Sequence, residues 1–151
     1  MLDDLDRRIL RRWGAEPDLQ VTELAREIGS SQSVVSRRVE ALRERGVLRG
    51  VHAVIDWRAA GYGVAVSLRF TLDKSVPHAP DAFMEAARAI PEVTEIQTFL
   101  GRVDVRLAVI ARDLAHWRTL YHDRILHLPH VADIEALMHV AAVKTDAVLP
   151  V

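Results

Sequence analysis

The sequence predicts an α+β chain: a helical N-terminal third, a short hinge strand, then a β-α-β-β-α-β half. Three observations carry this. Apolar residues within 1–50 recur at helical spacing with no β-branched run, alternating runs begin at Val64, and the second half repeats itself at an offset of 38 residues. The 151 residues suit one ordinary domain or two small ones. Half are apolar and 27% are charged, so the chain can bury a core and is neither disordered nor fibrous. Eighteen Arg, two Lys and twenty-one acidic residues leave a formal charge of -1. No global polycation is present, and any contact with nucleic acid must come from a local patch. The absence of cysteine excludes disulfide scaffolds, thiolate metal sites and Cys nucleophiles. The start MLDDLDRRIL lacks a basic segment ahead of an apolar one, and no apolar run approaches the roughly 20 residues of a membrane span, so a cytoplasmic address and no membrane partner are expected.

Helix one carries Asp3, Asp4 and Asp6 in its first turn and Arg7, Arg8, Arg11 and Arg12 beyond, a distribution that suits the helix dipole. Leu2, Leu5, Ile9 and Trp13 make its buried stripe. Thr22 is expected to cap a short second helix, Glu23 to Ile28, which Gly29 ends as a left-handed residue. Ser30 or Ser31 caps the third, where Val35, Val39 and Leu42 lie within about 60° of one another at about 100° per residue. Two helices joined by a Gly-containing turn of this length form a helix-turn-helix. The N-terminal half of the third helix offers Ser31, Gln32, Ser33, Ser36, Arg37 and Arg38, donors able to reach base edges or phosphates. Glu40 and Glu44 follow, and phosphate repels them. Only the first two turns should therefore enter a major groove.

Val51-His52-Ala53-Val54-Ile55 reads as a short hinge strand and residues 56–63 as a turn-rich linker. Residues 1–50, 51–63 and 64–151 thus divide the chain. In the last part, Ile90-Pro91-Glu92-Val93-Thr94-Glu95-Ile96 matches Leu128-Pro129-His130-Val131-Ala132-Asp133-Ile134 in the pattern apolar, Pro, any, Val, any, acidic, Ile, and the same offset maps the strand at 64–70 onto 102–108. The helix at about 80–90 presents Phe83, Ala87 and Ile90, with Pro80 in its first turn. The helix at about 113–128 opens on Asp113 and aligns Leu114, Trp117, Tyr121, Ile125 and Leu128. Two such units joined by a tight turn at Gly101 give the ferredoxin-like arrangement, a four-stranded antiparallel sheet with both helices on one face. Alternating apolar residues on the other face would then need cover, from a second copy or a ligand.

The segments Leu5-Asp6-Arg7-Arg8-Ile9-Leu10, Glu23-Leu24-Ala25 to Gly29, and Ser31-x-Ser33-x-Val35-x-Arg37-Arg38-Val39-x-x-Leu42-x-x-x-Gly46-Val47-Leu48 resemble the N-terminal module of Lrp/AsnC (leucine-responsive, feast/famine) transcription regulators. The resemblance spans almost the whole chain. It implies a sequence-specific regulator of double-stranded DNA, paired through its sheets as a homodimer, assembled further into octamers in many members, and responsive to an amino acid. It also implies an effector site in the loop between the second and third strands, Leu100-Gly101-Arg102-Val103-Asp104, and on the last strand at Met138 and His139. Amides beside Gly101 could hold a carboxylate and Asp104 an α-ammonium. The alternative reading is a hairpin turn with a solvated carboxylate. Val103 stands where the family usually has an aromatic residue, and Ala136 to His139 replace its common Ser or Thr, which favours a ligand with an apolar side chain or no ligand.

No metal site is expected: the spacings among His116, His122, His127, His130 and His139 do not stack on one face, and zinc needs three or four converging ligands. No cofactor is expected either. The competing function is a tetrapyrrole enzyme, because sirohaem decarboxylases resemble this architecture. Arg102, Arg106 and His139 could begin the basic cluster such chemistry needs, but no catalytic Ser-His-Asp set or paired carboxylates accompany them.

Overall fold

Capping and glycine turns decide where each N-terminal helix begins and ends. The computed structural model describes residues 1–142; the predicted end of the C-terminal region, 143–151, lies outside the described residues. The described chain divides into Met1–Val54 and Ile55–Ala142. In the first unit α1 spans Asp4–Ala15 behind an Asp3 N-cap, whose carboxylate accepts the Asp6 amide while the Asp6 carboxylate accepts the Asp3 amide. Helix α2 spans Val21–Glu27 and α3 Gln32–Glu44. Gly29 and Gly46 stand at φ +67° and +68°, and in each case the next amide reaches back five residues, Ser30 to Ala25 and Val47 to Leu42, both at 2.9 Å. That is the left-handed helix end glycine makes inexpensive. Ile9, Leu24, Ala25, Ile28, Val35, Val39 and Leu42 form the core between the three helices.

Two expectations in this unit need correction. Thr22 is not the cap of α2: the helix starts two residues earlier, at Val21, Gln20 occupies the cap position, and among the described residues it makes no side-chain cap bond. Val21 packs on the core, which draws the two extra residues into the helix. Val51–Ile55 forms no strand. A strand needs a ladder partner, none faces this segment among the described residues, and its side chains are exposed, Val54 almost fully.

The second unit runs β1 (Val64–Leu72), α4 (Ala79–Arg88), β2 (Val93–Thr98), β3 (Val105–Ala111), α5 (Leu114–Asp123) and β4 (Val131–Met138). The sheet order is β2-β3-β1-β4 with every neighbouring pair antiparallel, the ferredoxin-like sheet. Period-two alternation sends Val66, Leu68, Phe70 and Leu72 of β1, with Val105, Leu107, Val109 and Ala111 of β3, to one face. There they meet Phe83 and Ala87 of α4 and Trp117 and Leu120 of α5. Asp113 caps α5 by accepting the His116 amide at 2.7 Å. The helix ends at Asp123 rather than continuing to 128. Arg124 leaves helical geometry at φ −125° and a 3-10 turn over Ile125–His127 follows; Leu128, the residue before Pro129, is then extended at ψ 136°. Ile125 and Leu128 still return to the core, while Leu114 is exposed and Leu120 takes its place in the buried line.

The open sheet face is not the apolar surface the alternation suggests. At its centre Arg106 donates from Nε to Ser67 Oγ at 2.8 Å and from Nη1 to Gln97 Oε1 at 2.6 Å, with Glu95 Oε2 at 3.4 Å. Arg69 and Glu135 pair at 3.4 Å on neighbouring strands. Long polar side chains thus bond one another across the strands. Among the described residues no helix is long and apolar enough to cross a membrane.

Candidate nucleic-acid interface and effector site

Ser31 is the N-cap of α3 and accepts the Val34 amide at 3.4 Å, leaving its first turn open to solvent. Gln32, Ser33, Ser36 and Arg37 are all exposed on that turn and the next, opposite the buried Val35, Val39 and Leu42. Thr22 is exposed in the first turn of α2. Arg37 makes no ion pair among the described residues, so its guanidinium is free for a base edge or a phosphate.

Arg38 is placed differently. Its Nη1 lies 2.8 Å from Asp3 Oδ2 and 3.5 Å from Asp6 Oδ1. Arg45, just past α3, has Nη1 3.7 Å from Asp6 Oδ2 and donates from Nη2 to the Met1 carbonyl at 3.3 Å. Asp6 is 2% exposed, the buried carboxylate that the sequence reading missed. The signal was present: Asp6 adjoins Leu5 and Ile9 on the apolar stripe, and an acid there needs a cation. The Asp6 amide, first, and the Arg38 charge hold the Asp3 carboxyl below the usual carboxylate range. Arg12 joins α1 to Glu16 and to Glu27 of α2, and Arg8 donates to the Ile28 carbonyl at the end of α2. Much of the arginine in this unit is thus internal fastening.

The effector residues named from sequence do not converge within one chain. Asp104 lies beside the C-terminal end of β1, whereas Met138 pairs with Val66 and the His139 amide bonds the Ala65 carbonyl near its start. Six residues of strand separate the two groups, roughly 20 Å at about 3.3 Å per residue. Leu100 is fully exposed, and Gly101 sits at φ +158° with open space where a Cβ would stand. Arg102 is exposed, its carbonyl accepting the Thr71 hydroxyl at 3.0 Å.

Asp104 is no solvated hairpin acid. Its Oδ2 accepts the Leu72 amide at 2.9 Å, just past the Phe70–Val105 pair at which the β1–β3 register ends. Its Oδ1 lies 3.5 Å from Lys74 Nζ. The carboxylate forms part of the wall of a cavity of about 360 Å³ lined by Leu72, Val76, Met84, Phe99 and Val105, with Asp73 and Lys74 among its polar groups. Apolar walls with a few charged groups are the usual make-up of a small-ligand site. Two hydrogen bonds from Ser75, hydroxyl then amide, hold the Asp73 carboxyl below its ordinary value, with a smaller contribution from His130. Lys74, Val76 and Met84 were absent from the sequence reading; they lie in the β1–α4 connection and on α4, far along the chain from the loop. The tetrapyrrole reading loses Arg106, already committed to Ser67, Gln97 and Glu95.

A helix-turn-helix with an exposed polar recognition face, in one chain with a ferredoxin-like unit that holds a small-molecule cavity, defines a DNA-binding transcription regulator. The chain belongs to the Lrp/AsnC family: residues 2–43 match the AsnC-type helix-turn-helix domain and residues 65–149 the Lrp/AsnC ligand binding domain. It is 33% identical to a proline dehydrogenase transcriptional activator of Rhodobacter capsulatus, over 95% of this chain and 93% of that one. It is 26% identical to the leucine-responsive regulatory protein of Escherichia coli K12, over 95% and 87%. Among solved structures, an AsnC family regulator from Agrobacterium tumefaciens superposes with a TM-score of 0.87 at 28% identity, covering 99% of this chain and 97% of that one. A Neisseria meningitidis regulator solved as an L-methionine complex shares the fold, with a TM-score of 0.91 at 24% identity over 99% and 97%. These relatives are regulators, not enzymes.

Proposed function

We propose that this regulator reads its operator through Gln32, Ser33, Ser36 and Arg37, with Thr22 and Ser31 toward the phosphates, and that an amino acid with an apolar side chain tunes the binding. The observation that carries the ligand reading is the cavity beside Asp104, which joins a half-buried carboxylate to an apolar wall. An α-ammonium would take Asp104 Oδ1 in place of Lys74, and the side chain would lie against Leu72, Val76 and Met84. The working form is a homodimer paired through the open sheet faces, able to assemble into octamers. A single recognition helix contacts too few base pairs for specificity, and a two-fold pair reads two half-sites. The protein acts in the cytoplasm, with its DNA.

Screening the twenty amino acids, L-methionine and L-leucine first, by thermal midpoint and by retardation of the chain's own upstream DNA tests this. An apolar amino acid should raise the midpoint and change the DNA shift together. No midpoint change with any amino acid overturns the ligand reading; no retardation of the upstream DNA counts against an operator there.

A further inference from the structure

Within residues 1–50 ten Arg face nine Asp or Glu, so the DNA-binding unit carries a formal charge of only +1. How those cations are spent therefore matters. Arg7, Arg11, Arg37 and Arg49 have neither an ion pair nor a side-chain hydrogen bond among the described residues, while Arg38 and Arg45 are held by Asp3 and Asp6. Asp6 is buried and cannot give up both partners without leaving an uncompensated charge. Asp3 is half-exposed and meets Arg38 at 2.8 Å, at a surface where a DNA phosphate could compete for the same guanidinium. The stem of Arg38 stands about 100° round α3 from Arg37, within reach of the flank of any groove that α3 enters.

We propose that Asp3 and Asp6 withhold Arg38 and Arg45 from the phosphate backbone. This pair of carboxylates keeps α3 seated on α1 and suppresses sequence-independent attraction to DNA, so discrimination rests on the Arg37 face. The inference rests on α3 being the recognition helix.

The test is the affinity of the full-length chain for a random-sequence duplex as salt is varied. Asp3→Asn keeps a good N-cap while removing the charge that holds Arg38. It should bind the duplex several-fold more tightly, and the slope of log K against log salt should steepen by about 0.9, one released phosphate contact. Asp4→Asn, an equal loss of negative charge at an exposed neighbour with no arginine partner, should tighten binding less and leave the slope as it was. Adding Arg38→Gln to Asp3→Asn should return the slope to the wild-type value. Asp3→Ser, which also preserves a cap, is the second neutral variant. Equal slopes for Asp3→Asn and Asp4→Asn, weaker binding by Asp3→Asn, or a gain that survives Arg38→Gln each overturns the proposal alone. If neither the wild type nor Asp3→Asn binds any duplex, the recognition-helix reading falls and the proposal with it.

Discussion

Two charged side chains with opposite fates govern what single substitutions will report. Arg37 is free, so Arg37→Ala should cost about 1–3 kcal/mol at the operator if it reads a base; if it holds a phosphate, the salt slope should fall by about 0.9. Titration of operator binding at several salt concentrations separates the two outcomes. Asp104 is committed, and that changes the choice of substitution. Asp104→Ala removes the acceptor of the Leu72 amide, so its effect mixes lost ligand contact with a loosened strand end. Asp104→Asn keeps an acceptor and removes the charge. It should lose the amino-acid response in calorimetry while its thermal midpoint stays nearer the wild type than that of Asp104→Ala. Of the site, the sequence made the exposed face of α3 legible because helical periodicity separates Val35, Val39 and Leu42 from Gln32, Ser33 and Arg37. It could not reveal what Arg38 and Asp104 touch, because those partners, Asp3 and Leu72, lie 35 and 32 residues away.

At the scale of elements, local chemistry fixed the ends it could reach. Gly29, Gly46, Ser31 and Asp113 do what their types dictate, and Gly29→Ala or Gly46→Ala should cost about 1–2 kcal/mol for forcing a Cβ into the left-handed region. Chemical denaturation would measure it; no loss at either position would mean that the turn relaxes. The failures also have causes. Val51–Ile55 has strand composition but no ladder partner among the described residues, and α5 gives way at Arg124 to a 3-10 turn that returns Ile125 to the core. Acid should loosen the start of α1. Asp3 is ionised in the fold below its ordinary value of about 3.9, so its stabilising contribution is complete above that value and disappears as pH falls through the lowered one. The thermal midpoint should drop as pH is lowered from 5 toward 2.5, and Asp3→Asn should show a smaller part of that drop.

For the whole molecule, the internal repeat was the decisive piece of sequence. It yielded the strand order and the single helix-bearing face without any structural input. The character of the other face was misjudged, because alternation counts which residues point outward and not what their side chains bond. Arg106, Ser67, Gln97 and Glu95 make its centre polar, with Ile110 and Leu137 on outward-facing register positions around them. An interface here would be fixed in register by charge as much as by apolar area. Ile110→Asp should therefore dissociate the assembly in sedimentation and weaken binding to a two-half-site operator far more than to a single half-site. A variant that sediments as the wild type would rule this face out.

The carboxylate bond to the Leu72 amide provides a built-in reporter. Its amide proton is given to a carboxylate rather than to a peptide carbonyl, and such charge-assisted bonds are shorter and stronger than neutral ones. In an amide correlation spectrum this one resonance should lie apart from its strand neighbours and move when the charge on Asp104 is shared with a newcomer. A ligand that merely fills the apolar wall would shift Met84 and Val76 and leave it still. One cross-peak can thus distinguish a molecule that engages the carboxylate from one that only occupies space.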